Sequence, residues 1–507
     1  MTGDPDDGYE RIVTMLDDAG VGTIQPGDSI ADIVEDAEET GSDEDEQSLG
    51  NGPPKPRKFG FSTRRLNEEF SLVLMGSKAV IFLDQPDAML EDQQRVLTLE
   101  AFNAWFANRF TEVLGGDGKI KIISWAKAWL TNRRRRQYRG VEFHPDPDDS
   151  DGTPGYLNLW RGFAVKPKTG GSYKIFRDHM LTNVCRGDAA IFSWLFGFFA
   201  HMVQRPRERL GVAIVMRGSM GSGKTKVGEI FGSLITRHYF LVDDPRYVTG
   251  QFNAHMATCL LLQADEAVWA GDKAAEGRLK GLVTSPIQQI EAKGIDPIRL
   301  KNYVRLIMTS NEEWVVPAGK DERRFCVLDV DPRCAQNHDY FREMDEELDD
   351  GGREALLADL LAFDLSTINL RQIPRTNALL EQKIHSLNSL DSWWFGRLMD
   401  GTTTRGGDKW VQLIPKRLLY DDYIVASDRI GIKRKTAETE VGMKLAKLVP
   451  GLRTTRSFWD DGPTMTKREW CFELPSLEQC RAAFEEAMQQ PIAWSDMSAL
   501  REPEALE

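Results

Sequence analysis

Nine residues, Arg217-Gly218-Ser219-Met220-Gly221-Ser222-Gly223-Lys224-Thr225, do most to limit what this chain can fold into. They follow the apolar run Val212–Met216, which reads as a short buried strand, and precede Lys226–Phe231, which reads as the start of a helix. Gly218, four residues, then Gly223-Lys224-Thr225 is the phosphate-loop spacing in its required strand–loop–helix setting. Glycines let the backbone curl round a polyphosphate with its N–H groups inward, and the helix N-terminus adds positive partial charge. Residues Gly218 to Thr225 are therefore the expected cradle. Lys224 would reach the β- and γ-phosphates of ATP, and Thr225 would offer its hydroxyl to Mg²⁺.

Three later stretches complete a nucleotide site on paper. Cys259–Ala264 is an apolar strand ending in Asp265-Glu266, about forty residues after Lys224. Asp265 would hold Mg²⁺ through its water shell, and Glu266 would act as general base on the attacking water. Val304–Ser310 is another buried strand, and it delivers Asn311 as a sensor of the γ-phosphate. Asp321-Glu322-Arg323-Arg324 then precedes a further strand. This arginine pair suits a finger acting on a neighbouring subunit's nucleotide, with Arg324 preferred over Arg323. Between the acidic and sensor stretches, Ile287–Ala292 and Ile298–Leu300 read as strands around a tip at Lys293-Gly294. A basic tip there suits a grip on a DNA phosphate in a central channel.

The net charge of −14 belongs to one end. Residues 1–50 hold sixteen acidic residues against the single basic Arg11, which leaves the rest close to neutral. With the linker Gly50–Pro54, residues 1–57 read as an acidic disordered tail, with room for a short helix near Tyr9–Leu16 and a role in docking a replication protein. Six scattered cysteines form no Cys-x-x-Cys pair, which argues against a zinc site or disulfide framework. No secretory signal is visible, and the longest apolar run, Ala189–Val203, is too short to span a bilayer. A cytoplasmic protein with no membrane partner is expected.

Residues 58–188 read as a mixed α/β domain. A hairpin is expected around Met75–Lys78, with helices at Phe102–Phe106 and Trp125–Leu130. Arg133–Arg136, beside Tyr138 and Arg139, suits either DNA contact or a solvated helix end. Residues 189–332 alternate buried strands and helices, which predicts a parallel sheet. A helical segment, 333–400, and a small basic winged-helix-like domain, 401–490, follow, and 491–507 reads as a tail.

Taken together, Gly221–Thr225, Ala264–Ala267, Leu279–Thr284 with Ile290–Gly294, Met308–Glu312 and Asp321–Phe325 resemble the superfamily 3 helicases, in the phage, plasmid and poxvirus-type primase-helicase branch. The resemblance is close over 200–332 and looser over 58–199, where Arg65–Phe70 and Asn158–Gly162 carry it. It implies an AAA+-like core, a hexameric ring and 3′→5′ movement on single-stranded or forked DNA. It also gives Lys224, Thr225, Asp265, Glu266, Asn311 and one of Arg323 and Arg324 their roles. Many relatives carry a primase, but 58–188 shows no Asp-x-Asp or Asp-x-Glu pair on a strand, so priming is not expected. A replication initiator or loader, and an AAA+ protein remodeller, are the alternatives.

Overall fold

The computed structural model describes residues 29, 31–32, 60–85, 93–115, 119–148, 151–250, 253–267, 273–291, 297–432, 435–458 and 468–494. The chain forms two compact units: residues 1–161 together with 289–301, and residues 162–288 together with 302–507.

In the first unit, β1 (Phe70–Met75) and β2 (Lys78–Asp84) form the expected hairpin, with Gly76 at φ 59° in its two-residue loop. β3 (Gln94–Leu97) and β6 (Gln137–Tyr138) extend it to a four-stranded sheet of order β3-β2-β1-β6. β4 (Phe110–Leu114) pairs with β5 (Ile120–Ser124), and β7 (Val141–Glu142) with β8 (Leu157–Asn158). Helices Leu99–Trp105 and Trp125–Thr131 lie where the aromatic spacing places them, and bury Phe102 and Trp129. Part of the arginine run serves the fold. Arg136 donates to Asn67 O (3.1 Å) and to the Tyr138 hydroxyl (2.9 Å), and Arg135 bonds Leu130 O and Gln137.

The acidic segment is not wholly a tail. Asp32 accepts from Thr63 N (2.7 Å) and Thr63 Oγ1 (2.6 Å) at the start of helix Thr63–Glu69, Ser29 bridges to Val113, and Ala31 packs on the unit's core. A carboxylate at a helix N-terminus satisfies orphan donors, an interaction that composition does not report. The Tyr9–Leu16 helix lies outside the described residues.

The second unit is built on a five-stranded sheet of β9 (Ala213–Arg217), β10 (Tyr239–Val242), β11 (Leu261–Asp265), β14 (Arg305–Ser310) and β15 (Phe325–Asp329), in the order β10-β11-β14-β9-β15. All four pairings are parallel. β9 and β14 are buried at every residue, with apolar centres, Ala213–Met216 and Leu306–Met308, that suit strands covered on both faces, and polar residues only at their ends. Helix Ala189–Gln204 is capped by Asp188 and is a buried core helix, with Phe199 stacked on Phe231 of helix Lys224–Ser233 at 3.5 Å between ring centroids. Residues 162–188, read from sequence as the end of the N-terminal domain, group with this unit because helix Lys174–His179 and the turn after it pack behind the phosphate loop. Among the described residues, no helix is long and apolar enough to cross a membrane.

The expected strands between the acidic and sensor stretches are β12 (Ile287–Ile290) and β13 (Ile298–Lys301), paired as a two-stranded sheet. Residues 289–301 group with the first unit, and Lys293 lies outside the described residues.

At the C-terminal end, β16 (Leu413–Pro415), β17 (Arg453–Phe458) and β18 (Arg468–Glu473) make an antiparallel sheet of order β16-β18-β17. Helices Lys416–Arg429, Glu438–Leu448 and Leu477–Met488 share one core with it. Helices Asn377–His385 and Ser389–Asp400, read from sequence as part of a separate segment, join that core through Leu380, Trp393 and Trp394. Residues 491–494 are not tail either: Ile492 is buried, and Trp494 packs on Phe395 and Phe484.

Candidate active site

Strand register alone assembles the site. Arg217 pairs with Ser310, and Thr309 with Asp265, so the residues just after β9, β11 and β14 emerge at one edge of the sheet. After β9 the chain turns through Gly218, Ser219, Met220, Gly221, Ser222 and Gly223 into the helix. Gly221 and Gly223 have φ of 76° and 87°. A Cβ on Gly223 would sit 2.6 Å from His179 and 2.9 Å from Phe341, so only glycine meets both demands. Gly223 is the N-cap, and no side chain caps the helix, which leaves its first N–H groups for an anion. Met220 stands at the loop's exposed apex, and Ser222 is buried.

Lys224 Nζ donates to Gly218 O (2.8 Å), Ser219 O (2.9 Å) and Asn311 Oδ1 (2.9 Å). Burial lowers its pKa, while Glu266 and Asp265 oppose that shift. The Thr225 hydroxyl lies 3.3 and 3.2 Å from the two Asp265 oxygens, and Asp265 is also held by the Thr309 hydroxyl. Glu266 accepts from Ser310 Oγ (3.0 Å) and Asn311 N (2.8 Å), and takes the left-handed conformation at φ 52°. That backbone carries strain, which is common where function fixes a side chain. The hard oxygens of Thr225 and Asp265 suit Mg²⁺, which takes few protein ligands and completes its shell with phosphates and water. Among the described residues there is no cluster of three or more His, Cys, Asp or Glu able to hold a metal by itself.

Behind the loop lies a buried group that sequence reasoning missed. Asn183 Nδ2 donates to His179 Nδ1 (3.0 Å) and to Cys334 Sγ (2.9 Å), and the Cys334 thiol reaches Ser222 O (3.5 Å). Burial pushes the His179 imidazole down to about 4, against a smaller opposing effect of the Gly223 backbone, so the ring is neutral near pH 7. His179 and Cys334 are 155 residues apart, and no motif joins them.

The same edge is braced from the side. Arg217 forms ion pairs with Asp329 and Glu381 and donates to Glu313 O (2.7 Å). Gln382 accepts from Val315 N (2.8 Å) and Val316 N (3.1 Å). Helix Asn377–His385 thus holds both the start of the phosphate loop and the loop that follows Asn311. Gln263, buried in β11, donates to Thr225 O (3.0 Å) and accepts from Tyr239 (2.7 Å), which anchors the helix start.

The arginine pair lies elsewhere. Phe325 pairs with Ala213, so Arg323 and Arg324 precede β15 at the opposite edge of the sheet, roughly 15 Å from the loop for a five-residue strand. Glu322, buried, accepts from Arg323 N (2.9 Å) and Arg324 N (2.6 Å) and lies 3.5 Å from Arg324 Nη1. Arg323 is exposed and Arg324 half-buried. Neither belongs to the constellation formed by Lys224, Asp265, Glu266 and Asn311 of its own chain.

Residues 216–324 match a family of unknown function, DUF5906. The chain is similar to the DNA primase-polymerase of Nitratiruptor phage NrS-1, at 24% identity over 254 residues, 47% of this chain and 35% of the relative. It therefore matches about a third of the length of that curated relative. Two apo structures of the NrS-1 C-terminal region each cover 81% of this chain and 98% of their own length, with a TM-score of 0.56 and 15% identity. At that identity the likeness is one of fold.

Proposed function

We propose that this chain is an ATP-driven DNA motor, a superfamily 3-type helicase with an AAA+-like core, acting in the replication of a phage or mobile element. The observation that carries the reading is the chain of contacts from Lys224 to Asn311 to Glu266, with Thr225 on Asp265 beside it. The strand order supports the AAA+-like core, because β14 lies between the phosphate-loop strand and the acidic strand and brings Asn311 to both. The similarity to a phage DNA primase-polymerase supports a replication role.

In this reading the loop N–H groups and Lys224 bind and orient the polyphosphate. Thr225 and Asp265 would hold Mg²⁺, which would offset phosphate charge. Glu266, fixed by Ser310 and the Asn311 N–H, takes the proton of the attacking water. Asn311 positions that water against the γ-phosphate. Arg324 or Arg323 completes the site of a neighbouring copy, which calls for a ring, in the family's manner a hexamer moving 3′→5′. Lys293 then grips the strand.

The test is ATP hydrolysis with and without single-stranded DNA, run beside displacement of a strand from a fork. DNA should stimulate hydrolysis, and Lys293→Ala should keep the basal rate while losing stimulation and unwinding. Hydrolysis indifferent to DNA in the native chain would point to a protein remodeller. Stimulation without strand displacement would point to an initiator or loader.

A further inference from the structure

The β17–β18 hairpin presents a surface that the motor reading leaves unused. Thr454 faces Phe472, Arg456 faces Trp470, and Phe458 faces Arg468 across the ladder. These six side chains share one face of the hairpin. At its base Phe472 is buried, within 3.4 Å of a Cβ built on Gly442 in the neighbouring helix. Further out the face leaves the core: Trp470 is 58% exposed and Phe458 51%. Each projecting ring has a cation beside it. Arg468 lies 5.1 Å over Phe458, and Lys416 Nζ lies 5.8 Å from Trp470 and 4.9 Å from Phe472. A cleft of about 540 Å³ runs along this face, lined by Lys416, Arg456, Arg468 and Trp470.

Two large aromatics left in water on a hairpin, with cations interleaved, match one class of ligand closely. Phe458 and Trp470 are diagonal neighbours across the ladder, about 7–8 Å apart, so each ring can take a separate base. The carboxylates of Glu438 and Glu469 also line the cleft, and Glu469 sits 3.9 Å from Arg417, which takes Arg417 out of the grip. Among the described residues, no carboxylate lies within ion-pair distance of Lys416, Arg456 or Arg468, so the face keeps its positive sign. We infer that this face binds single-stranded nucleic acid, with Trp470 and Phe458 stacking on bases and Lys416, Arg456 and Arg468 meeting phosphates. A duplex would offer the cations its phosphates but would hide its base faces from the rings. The inference does not depend on ATP hydrolysis.

The test uses the full chain without nucleotide and a fluorescein-labelled thymidine oligomer, read by anisotropy over a range of salt. The double variant Trp470→Ala, Phe458→Ala should bind about tenfold more weakly or worse, while Trp470→Phe keeps most of the affinity. The double variant Arg456→Ala, Arg468→Ala should flatten the slope of log affinity against log salt by about 1.4, at 0.7 for each lost phosphate contact. An unchanged melting temperature shows that each variant is folded. Lys224→Ala should bind the oligomer as the native chain does, so a failed motor and a failed surface give different results. Loss of the rings that leaves affinity within about twofold of native, together with loss of the two arginines that changes the slope by less than about 0.7, would overturn the proposal. So would a duplex of equal length that binds more tightly and is indifferent to loss of the rings.

Discussion

The two edges of the parallel sheet make opposite uses of their side chains. At the edge where β9, β11 and β14 end, Lys224, Thr225, Asp265, Glu266 and Asn311 are joined by direct hydrogen bonds and braced by Arg217 and Gln382. At the edge where β15 begins, Arg323 and Arg324 are pinned through their backbone N–H groups by Glu322, with the Arg323 side chain in solvent. In a parallel sheet everything that follows a strand converges, and everything that precedes one goes to the far side. One edge can therefore be complete in a single chain. In the proposed motor, the other would carry groups that serve a second copy.

Breaking the first edge should have the largest effect. Lys224→Ala should reduce ATP hydrolysis by at least about a hundredfold with the fold intact, since the lysine that meets the phosphates is gone. Glu266→Gln should lose about 10²–10⁴ in rate but still bind ATP, because it removes only the base. Hydrolysis near the native rate in Lys224→Ala would end the nucleotide-site reading.

The second edge is tested by complementation. Arg324→Ala should lower hydrolysis by up to about 10³, and mixing it with Lys224→Ala protein should restore part of the activity, because a mixed interface pairs an intact site with an intact arginine. Activity against mixing ratio is the measurement, with mixed oligomers verified, and Arg323→Ala is run in parallel. No recovery at any ratio would mean that the pair does not act between chains.

The difference between the edges also explains what could be read in advance. Gly218–Thr225, Asp265-Glu266 and Asn311 are legible because each is local: a strand's apolar run, then a polar end whose chemistry the spacing fixes. Thr309 and Ser310 sat in plain view before Asn311, yet their task of holding Asp265 and Glu266 follows only from the β11–β14 register. His179, Asn183 and Cys334 could not be found at all, since their meeting depends on two distant segments closing behind the loop. The helical character of 333–400 is legible, but not the place of its last two helices in the C-terminal core, because an amphipathic face does not name its partner. The acidic segment misled for the same reason. Composition weighs its charge and not the single carboxylate that finds a helix end.

Acid should act at both edges through a buried histidine. Burial lowers the pKa of His179 from its ordinary 6.5 to about 4 behind the phosphate loop, and of His201 to about 3 beside Arg305 at the other edge. Both rings take up a proton on unfolding more readily than when folded. The stability they allow is full above pH 6.5 and is lost as the pH falls toward 4. For His179 the loss amounts to about 3 kcal/mol. The melting temperature should therefore fall between pH 6.5 and 5 in the native chain, and fall less in His179→Gln and in His201→Gln. Equal acid sensitivity of melting in the native chain and His179→Gln would remove His179 as a cause.

The smallest effect should come from the region where composition alone suggests none. Residues 1–50 look too acidic and too poor in apolar residues to pack, so their removal should leave the melting temperature unchanged if charge decides. Asp32 argues otherwise. Its carboxylate accepts from the Thr63 N–H and hydroxyl and from Asn132 Nδ2 (3.2 Å), and Thr63 and Asn132 are both buried. Without Asp32 the Thr63 N–H loses its acceptor at the helix start. Asn132 Nδ2 loses one of its two acceptors and keeps the 3.0 Å bond to Thr63 Oγ1. Asp32→Ala should thus cost the N-terminal unit about 1–2 kcal/mol, read as a drop of a few degrees in its thermal transition, and deletion of residues 1–50 should cost at least as much. The ATP hydrolysis proposed for the other unit should be untouched in Asp32→Ala. A truncated chain that melts with the native one would return the whole segment to the status of a tail.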